Sequence, residues 1–141
     1  MSLKSSRWAA LALILAAIPA QATDLTVAVT GVKDATNTIR IALYSQADGF
    51  RHEDKAAQLL SVPAKAGTVV GTFHDLAPGR YAVIAYHDEN GNQRLDLVLG
   101  MFPAEGWGLS NDPDVIGPPS FADSAFDLGE EAATVTVPLH Y

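Results

Sequence analysis

The chain of 141 residues contains no cysteine. Disulfide staples, Cys-type zinc sites, iron–sulfur clusters and thiol catalysis are thereby excluded, and stability has to come from burial. Basic residues are few: nine Lys and Arg stand against sixteen Asp and Glu, for a net charge of −7. Such a surface repels a polyanion, so neither nucleic acid nor an anionic membrane face is an expected partner. Long apolar runs are missing as well. The run from Trp8 to Ile18 counts eleven residues, against the ~20 that a bilayer-spanning helix needs.

That run has the setting of an export signal. Lys4 and Arg7 precede it, Pro19 breaks it, and Ala20-Gln21-Ala22 places small residues at positions −3 and −1 of a cleavage site. With no cysteine after the run, lipid attachment is ruled out. The expectation is a secretory signal peptide at 1–22, a single domain at 23–141 that is periplasmic or secreted, and no membrane insertion after cleavage. Removal of Lys4 and Arg7 leaves that domain more acidic still.

Beyond residue 22 the apolar period is two rather than 3.6. Leu25, Val27 and Val29 alternate with Thr26, Ala28 and Thr30, and Ile39, Ile41 and Leu43 alternate with Arg40 and Ala42. Further strands are expected at 57–62, 68–73, 80–87, around 124–128 and at 134–139. Pro138 cannot donate to a ladder, which places the last strand at an edge or ends it there. Between 75 and 79, Pro78 and Gly79 suit a type II turn with Gly79 at positive φ. Glu53 to Leu60 carries a competing short helical face of Ala56, Ala57, Leu59 and Leu60. Residues 97–123 differ in kind: they hold four glycines, four prolines, Phe102 and Trp107 without a period, as a long functional loop does. The fold class is therefore all-β: an antiparallel immunoglobulin-like or prealbumin-like β-sandwich of about seven strands with one long irregular loop. Leu76-x-Pro78-Gly79-x-Tyr81 is similar to a corner common in prealbumin-like and carboxypeptidase-regulatory-like modules, where the Tyr returns its hydroxyl to backbone.

The sharpest chemical pattern is Asp88-Glu89-Asn90-Gly91-Asn92-Gln93-Arg94-Leu95-Asp96. Oxygen-bearing side chains fall at positions 1, 3, 5 and 9, as in the front half of an EF-hand or dockerin-like loop that wraps a hard cation. Asp88, Asn90, Asn92 and Asp96 would bind Ca²⁺ through side chains, and Arg94 through its carbonyl. Gln93 stands where a glycine normally makes the bend, with Gly91 nearby. Position 12 is Leu99, so a carboxylate has to come from Glu89, Glu105, Asp112 or Asp123. A plain polar turn at Asn90-Gly91 is the alternative.

Four histidines, His52, His74, His87 and His140, form no HxH or HExxH pair. His74 and His87 flank two strands that would approach if these formed a hairpin. Ser110 and Ser120 lie in loops without a Gly-x-Ser-x-Gly elbow. No catalytic residue is assigned. Phe102, Trp107 and Phe121 among glycines make either a stacking platform or a set of pins for the loop.

Three ordered motifs then carry a resemblance. Tyr86-His87-Asp88-Glu89-Asn90-Gly91-Asn92 with Leu95-Asp96, Gly106-Trp107-Gly108-Leu109-Ser110-Asn111, and Gly117-Pro118-Pro119-Ser120-Phe121-x-Asp123-x-x-Phe126 resemble the bacterial exported family known as domain of unknown function number 2141. That family usually has a small residue or glycine in place of Gln93. The resemblance implies an exported β-sandwich-like domain and brings no catalytic residues with it. The prealbumin-like hydrolase of purine catabolism ends in Tyr-Arg-Gly-Ser, whereas this chain ends Pro138-Leu139-His140-Tyr141.

The expected function is an exported binding or accessory module for a protein, peptide or glycan, ordered by Ca²⁺ at the 88–96 loop, and not an enzyme. Two alternatives are a small periplasmic hydrolase using His87 with Asp88 or Asp123, and a structural envelope protein without a ligand.

Overall fold

A computed structural model describes residues 12–19 and 21–141. The export signal expected at 1–22 falls mostly outside the described residues, and 12–19 have no regular secondary structure. Among the described residues no helix is long and apolar enough to cross a membrane.

The strands are β1 (Thr23–Val32), β2 (Thr38–Tyr44), β3 (Gln58–Pro63), β4 (Gly67–Leu76), β5 (Gly79–Asp88), β6 (Leu97–Val98), β7 (Phe102–Pro103), β8 (Trp107–Leu109), β9 (Phe126–Leu128) and β10 (Ala133–Pro138). All seven expected strands are among them. The other three, with the four-residue helix α1 (Phe121–Ser124), lie in the segment expected to be irregular. One sheet has the order β10-β1-β4. The second runs β3-β2-β5, and the far edge of β5 is divided between β9, beside Gly79–Tyr81, and β8, beside Ile84–Tyr86.

The period of two is the cause of this arrangement. Leu25, Val27 and Val29 of β1 and Val69 and Phe73 of β4 point at Ile39, Ile41 and Leu43 of β2 and Val83 and Ala85 of β5, all buried. Each large side chain so buried contributes about 1.5–3 kcal/mol against exposure. Between them Gly71 keeps the sheets close: a Cβ there would stand 3.0 Å from the methyl groups of Ile41 and Leu60. The result is an all-β sandwich.

Three local expectations are corrected. The helical face at 53–60 is instead a 3-10 turn, Glu53–Lys55, followed by β3. Pairing Ile41 with Leu60 along β2 satisfies a row of backbone groups, whereas eight residues make a marginal isolated helix. Gly79 is not at positive φ and already belongs to β5; the left-handed residue of this connection is Asp75, at φ 58°. The corner itself forms, with the Tyr81 hydroxyl donating to the Ala77 carbonyl at 2.7 Å. Finally, β4 and β5 lie in different sheets, so their connection crosses the sandwich and is no hairpin. One pairing also departs from an antiparallel scheme: β10 runs parallel to β1, from Leu25 opposite Ala133 to Thr30 opposite Pro138. As expected, β10 is an edge strand ending at Pro138.

A second apolar cluster covers the outer face of the β2-β5 sheet. Ala42, Tyr44, Ala82 and Ile84 meet Phe50 and Leu109, with Trp107 and Phe121 packed against them. Phe50 stands edge-on to Tyr44 at 5.1 Å and to Phe121 at 5.8 Å. The covering residues come from 45–57 and from 97–123, so the aromatics in the latter act partly as pins.

The Gly106-Trp107-Gly108 motif follows from β8 being squeezed between β5 and the C-terminal segment. Trp107 exchanges two backbone hydrogen bonds with His140, at 3.0 and 2.9 Å. Its indole turns to the outer cluster, so by strand alternation its glycine neighbours face the other way. A Cβ at Gly106 would overlap the Tyr141 ring, and one at Gly108 would overlap the Pro138 carbonyl. Because that carbonyl is backbone, Gly108→Ala is expected to cost about 1–3 kcal/mol by overpacking. Gly129→Ala, with open space around it, serves as the control. Equal urea midpoints for the two variants would refute the squeezed-strand account.

Candidate functional site

Strand alternation separates the two neighbours at the end of β5. Asp88 lies opposite Thr38 on the outer face, the face of Tyr86 and Ile84, while His87 lies opposite Ile39 and turns inward. Both are buried, Asp88 at 1 % exposure. The His87 Nε2–H donates to the Thr36 carbonyl at 2.6 Å, and its Nδ1 is 2.8 Å from the Tyr141 hydroxyl. Asp34 approaches Nε2 only to 3.8 Å. The ring therefore has both nitrogens engaged, and neither Asp88 nor Asp123 is brought to it.

The loop after β5 closes on its own polar side chains. Asp88 Oδ2 accepts the Gln93 N–H at 2.9 Å, Asn90 Oδ1 accepts that of Asn92 at 3.2 Å, and Asn92 Oδ1 accepts that of Arg94 at 3.0 Å. The side-chain amides of Asn90 and Asn92 both donate to the Asp96 carboxylate, at 2.5 Å and at 2.8–2.9 Å. These amide bonds lower the Asp96 pKa. Asn90, Asn92 and Asp96 are thus brought together, with Asp88 tied in through Gln93; Arg94 takes part through its backbone, with its side chain exposed. The bend uses two left-handed residues, Gly91 at φ 72° and Gln93 at φ 61°. For Gln93 that conformation costs ~1–2 kcal/mol.

Of the four acids considered as a further oxygen donor, three are engaged elsewhere. Glu89 pairs with Lys33, Asp112 faces His140 Nε2 at 2.7 Å, and Asp123 forms a capping box with Ser120 at the start of α1. Glu105, 7 % exposed, is the one at the loop. Its Oε1 accepts the Glu89 N–H at 3.1 Å and its Oε2 the Asp96 N–H at 3.2 Å, so one carboxylate clamps both ends of the loop. Burial, and after it the nearby charges of Asp96 and Asp88, raise its pKa in spite of those two donors.

Within this loop one oxygen has nothing to bind. Asp88 Oδ1 is buried without a hydrogen-bond partner, and an unmatched buried carboxylate oxygen costs a few kcal/mol unless a cation or water meets it. Among the described residues no three His, Asp or Glu side chains form a metal-holding cluster. A hard cation here has to draw on asparagine and backbone carbonyl oxygens as well.

Beside the loop lies a groove of about 680 Å³ on the outer sheet face. Its floor is Ala42, Ile84, Tyr86, Trp107 and Leu109; the β6–β7 hairpin, Gln93–Leu95, Arg51 and Gly117–Pro119 wall it. At one side Arg40 and Tyr86 both bind Glu53: the guanidinium Nε donates at 3.0 Å and the phenol at 2.7 Å. Burial and that carboxylate push the Tyr86 pKa far up. Sequence reading missed this face, although the alternate set Ala42, Tyr44, Ile84 and Tyr86 was visible as a second apolar stripe on strands already assigned one core face. His52 and His74 remain at the surface, the latter with Asp24 at 3.0 Å. Ser110 is buried, bonded to Val83 and to the Ser124 carbonyl.

The family model described as "Uncharacterized protein conserved in bacteria (DUF2141)" matches residues 27–136, which run from β1 into β10. No curated protein and no solved structure matches the chain.

The clamp makes a testable pair. Glu105→Ala is expected to lower stability by about 1–3 kcal/mol through two lost charge-assisted bonds, and Gln93→Gly to raise it by up to about 1 kcal/mol by relieving the left-handed bend. Urea unfolding reads both. A neutral Glu105→Ala would mean that the carboxylate does not hold the loop.

Proposed function

The chain belongs to the DUF2141 family, and we propose that it is an exported binding module, periplasmic or secreted, whose 88–96 loop is ordered by Ca²⁺ and whose binding surface is formed by that loop and 97–123. The observation that carries the metal reading is Asp88 Oδ1: a buried carboxylate oxygen without a partner, in a loop whose other inward side chains are oxygen donors. Asp88, Asn90, Asn92, Asp96 and the Arg94 carbonyl are the ligands proposed, with Glu105 the nearest further carboxylate. These are hard oxygen donors, the kind Ca²⁺ selects. Export is supported by the three-part N-terminal signal.

What favours binding over hydrolysis is the engagement of the polar groups that chemistry would need. His87 is held by Thr36 and Tyr141, Ser110 by Val83 and Ser124, and Asp123 by Ser120. The surface that stays open is apolar and concave instead, and concave apolar sites with a few polar groups are what small ligands use.

The test is thermal unfolding of the purified protein in EDTA and with Ca²⁺, beside Asp88→Asn. An extracellular-type affinity of ~10⁻⁴ M predicts about 2.7 kcal/mol of stabilisation at a hundredfold excess over Kd. The variant is expected to lose that increment while being no less stable than the parent in EDTA, because it removes an uncompensated buried charge. Absence of any Ca²⁺ response in the parent at ~10 mM, far above the Kd range of such modules, would sink the metal reading.

A further inference from the structure

The outer face of a sheet in a two-layer sandwich is ordinarily polar and wet. Here the corresponding face of β2 and β5 is apolar, and only part of it is covered. Phe50, Phe121 and Leu109 close one side, leaving above Ala42 and Ile84 a hollow of about 680 Å³, within the ~300–1,000 Å³ of small-molecule sites. Ala42, directly opposite Ile84 in the register, contributes only a methyl group to the lining of this hollow.

Its outer wall is a hairpin with unusual exposure. β6 and β7 are joined by the three residues 99–101, which hold a β-turn in which Met101 N–H bonds the Val98 carbonyl at 3.1 Å, with Leu99 at φ 55° and Gly100 at φ 67° as its central residues. Both central residues of such a turn need positive φ, and Asn or Gly is the usual occupant. Leucine at Leu99 is strained, and it is 84 % exposed; Met101 and Phe102 beside it are 69 % and 58 % exposed. Apolar residues kept in water on a strained two-strand flap, next to an apolar hollow, are surface waiting to be covered.

Charge at the groove identifies what covers it. The protein has a net charge of −7 with only nine Lys and Arg, yet two of its arginines, Arg51 and Arg94, line this groove. Among the described residues, neither has a carboxylate within ion-pair distance, whereas Glu53, the carboxylate that also lines the groove, is already paired with Arg40 beside it. An apolar cavity with two unpaired guanidinium groups at its rim complements a molecule with an apolar body and one anionic end, since Arg recognises carboxylates by charge-assisted, often bidentate hydrogen bonds.

We propose that this groove binds an anionic amphiphile of the fatty-acid class, its chain over Ala42 and Ile84 under the β6–β7 flap and its carboxylate at Arg51 and Arg94. This names the ligand class for the binding surface proposed above and rests on that reading, but not on the metal.

The experiment uses the purified full chain with monomeric decanoate, decanol and decyltrimethylammonium, followed by calorimetry and by Trp107 fluorescence. Decanoate is expected to bind best, with a blue shift of Trp107 emission that is absent in Trp107→Phe. Arg51→Ala with Arg94→Ala, both at exposed side chains, should weaken decanoate about tenfold or more and leave decanol unchanged. Met101→Glu, placing a charge on the flap, should weaken both. Equal binding of the three probes, an unaltered decanoate affinity in the double variant, no binding at all, or binding only to phospholipid vesicles would each overturn the proposal. Decanoate failure with an intact Ca²⁺ response rejects the ligand class alone. Decanoate binding without a Ca²⁺ response rejects the metal alone.

Discussion

Strand β5 carries a core on each of its faces, and the remaining structure is organised around that constraint. Every side chain from Tyr81 to Asp88 is buried. Val83 and Ala85 close the sandwich, while Ala82, Ile84 and Tyr86 form the base of the outer cluster and groove. A strand buried on both faces needs partners on both edges, since an unpaired buried N–H or C=O is costly. β2 supplies one edge along its whole length, and β8 and β9 share the other. The long segment between 88 and 126 is therefore no passive connection. It leaves β5, returns as β8 beside the second half of the strand, and returns again as β9 beside the first.

Burial of Asp88 is a consequence of the same constraint. At the last position of a doubly covered strand, an aspartate cannot turn to water. Its backbone stays in the sheet opposite Thr38, and its carboxylate has to be matched by whatever follows. Gln93 N–H matches one oxygen and nothing matches the other. Glu105 sits in a related position: buried, negative, and held by two backbone N–H groups from opposite ends of the loop. Burial, and after it the charges of Asp96 and Asp88, raise the Glu105 pKa. Such repulsion is tolerated where a gain offsets it, and here the two backbone N–H donors supply part of that gain.

Much of the sandwich was legible because period-two alternation in β1, β2 and β4 follows directly from one buried face. The seven main strands, the Tyr81 corner and the edge placement of β10 all came from that signal and from turn chemistry. The inward turn of Asn90, Asn92 and Asp96 was legible for the same kind of reason, alternate oxygen side chains in a short loop. What stayed hidden was the outer face. Ala42, Tyr44, Ile84 and Tyr86 have the right period, but their coverage depends on Phe50, Phe121 and the β6–β7 flap, 6 to 79 residues away along the chain, and no local pattern announces such contacts. That Glu105 clamps the loop ends was hidden likewise: Glu89 and Asp112 are taken by Lys33 and His140, partners that only the fold brings near, while Asp123 is taken locally by Ser120. At Glu53 to Leu60 the competition between helix and strand was settled by β2, a long-range pairing that local propensity does not contain.

The loop and the groove are parts of one device in the physical sense that they share residues. Gln93, Arg94 and Leu95 wall the groove, and the backbone of the same stretch is fixed by Asp88 and Asn92. The flap begins at Leu97, one residue beyond Asp96, whose N–H is held by Glu105. A change in how tightly the loop closes therefore moves the arginine and the wall beside it, with little other structure between to absorb the change. Two strained left-handed residues, Gln93 and Leu99, stand on either side of this junction. Strain persists where surrounding contacts over-determine it, and here those contacts are the polar ring of the loop on one side and the β6–β7 pairing on the other. Were each part to hold a ligand, any influence of one on the other would be reciprocal by linkage.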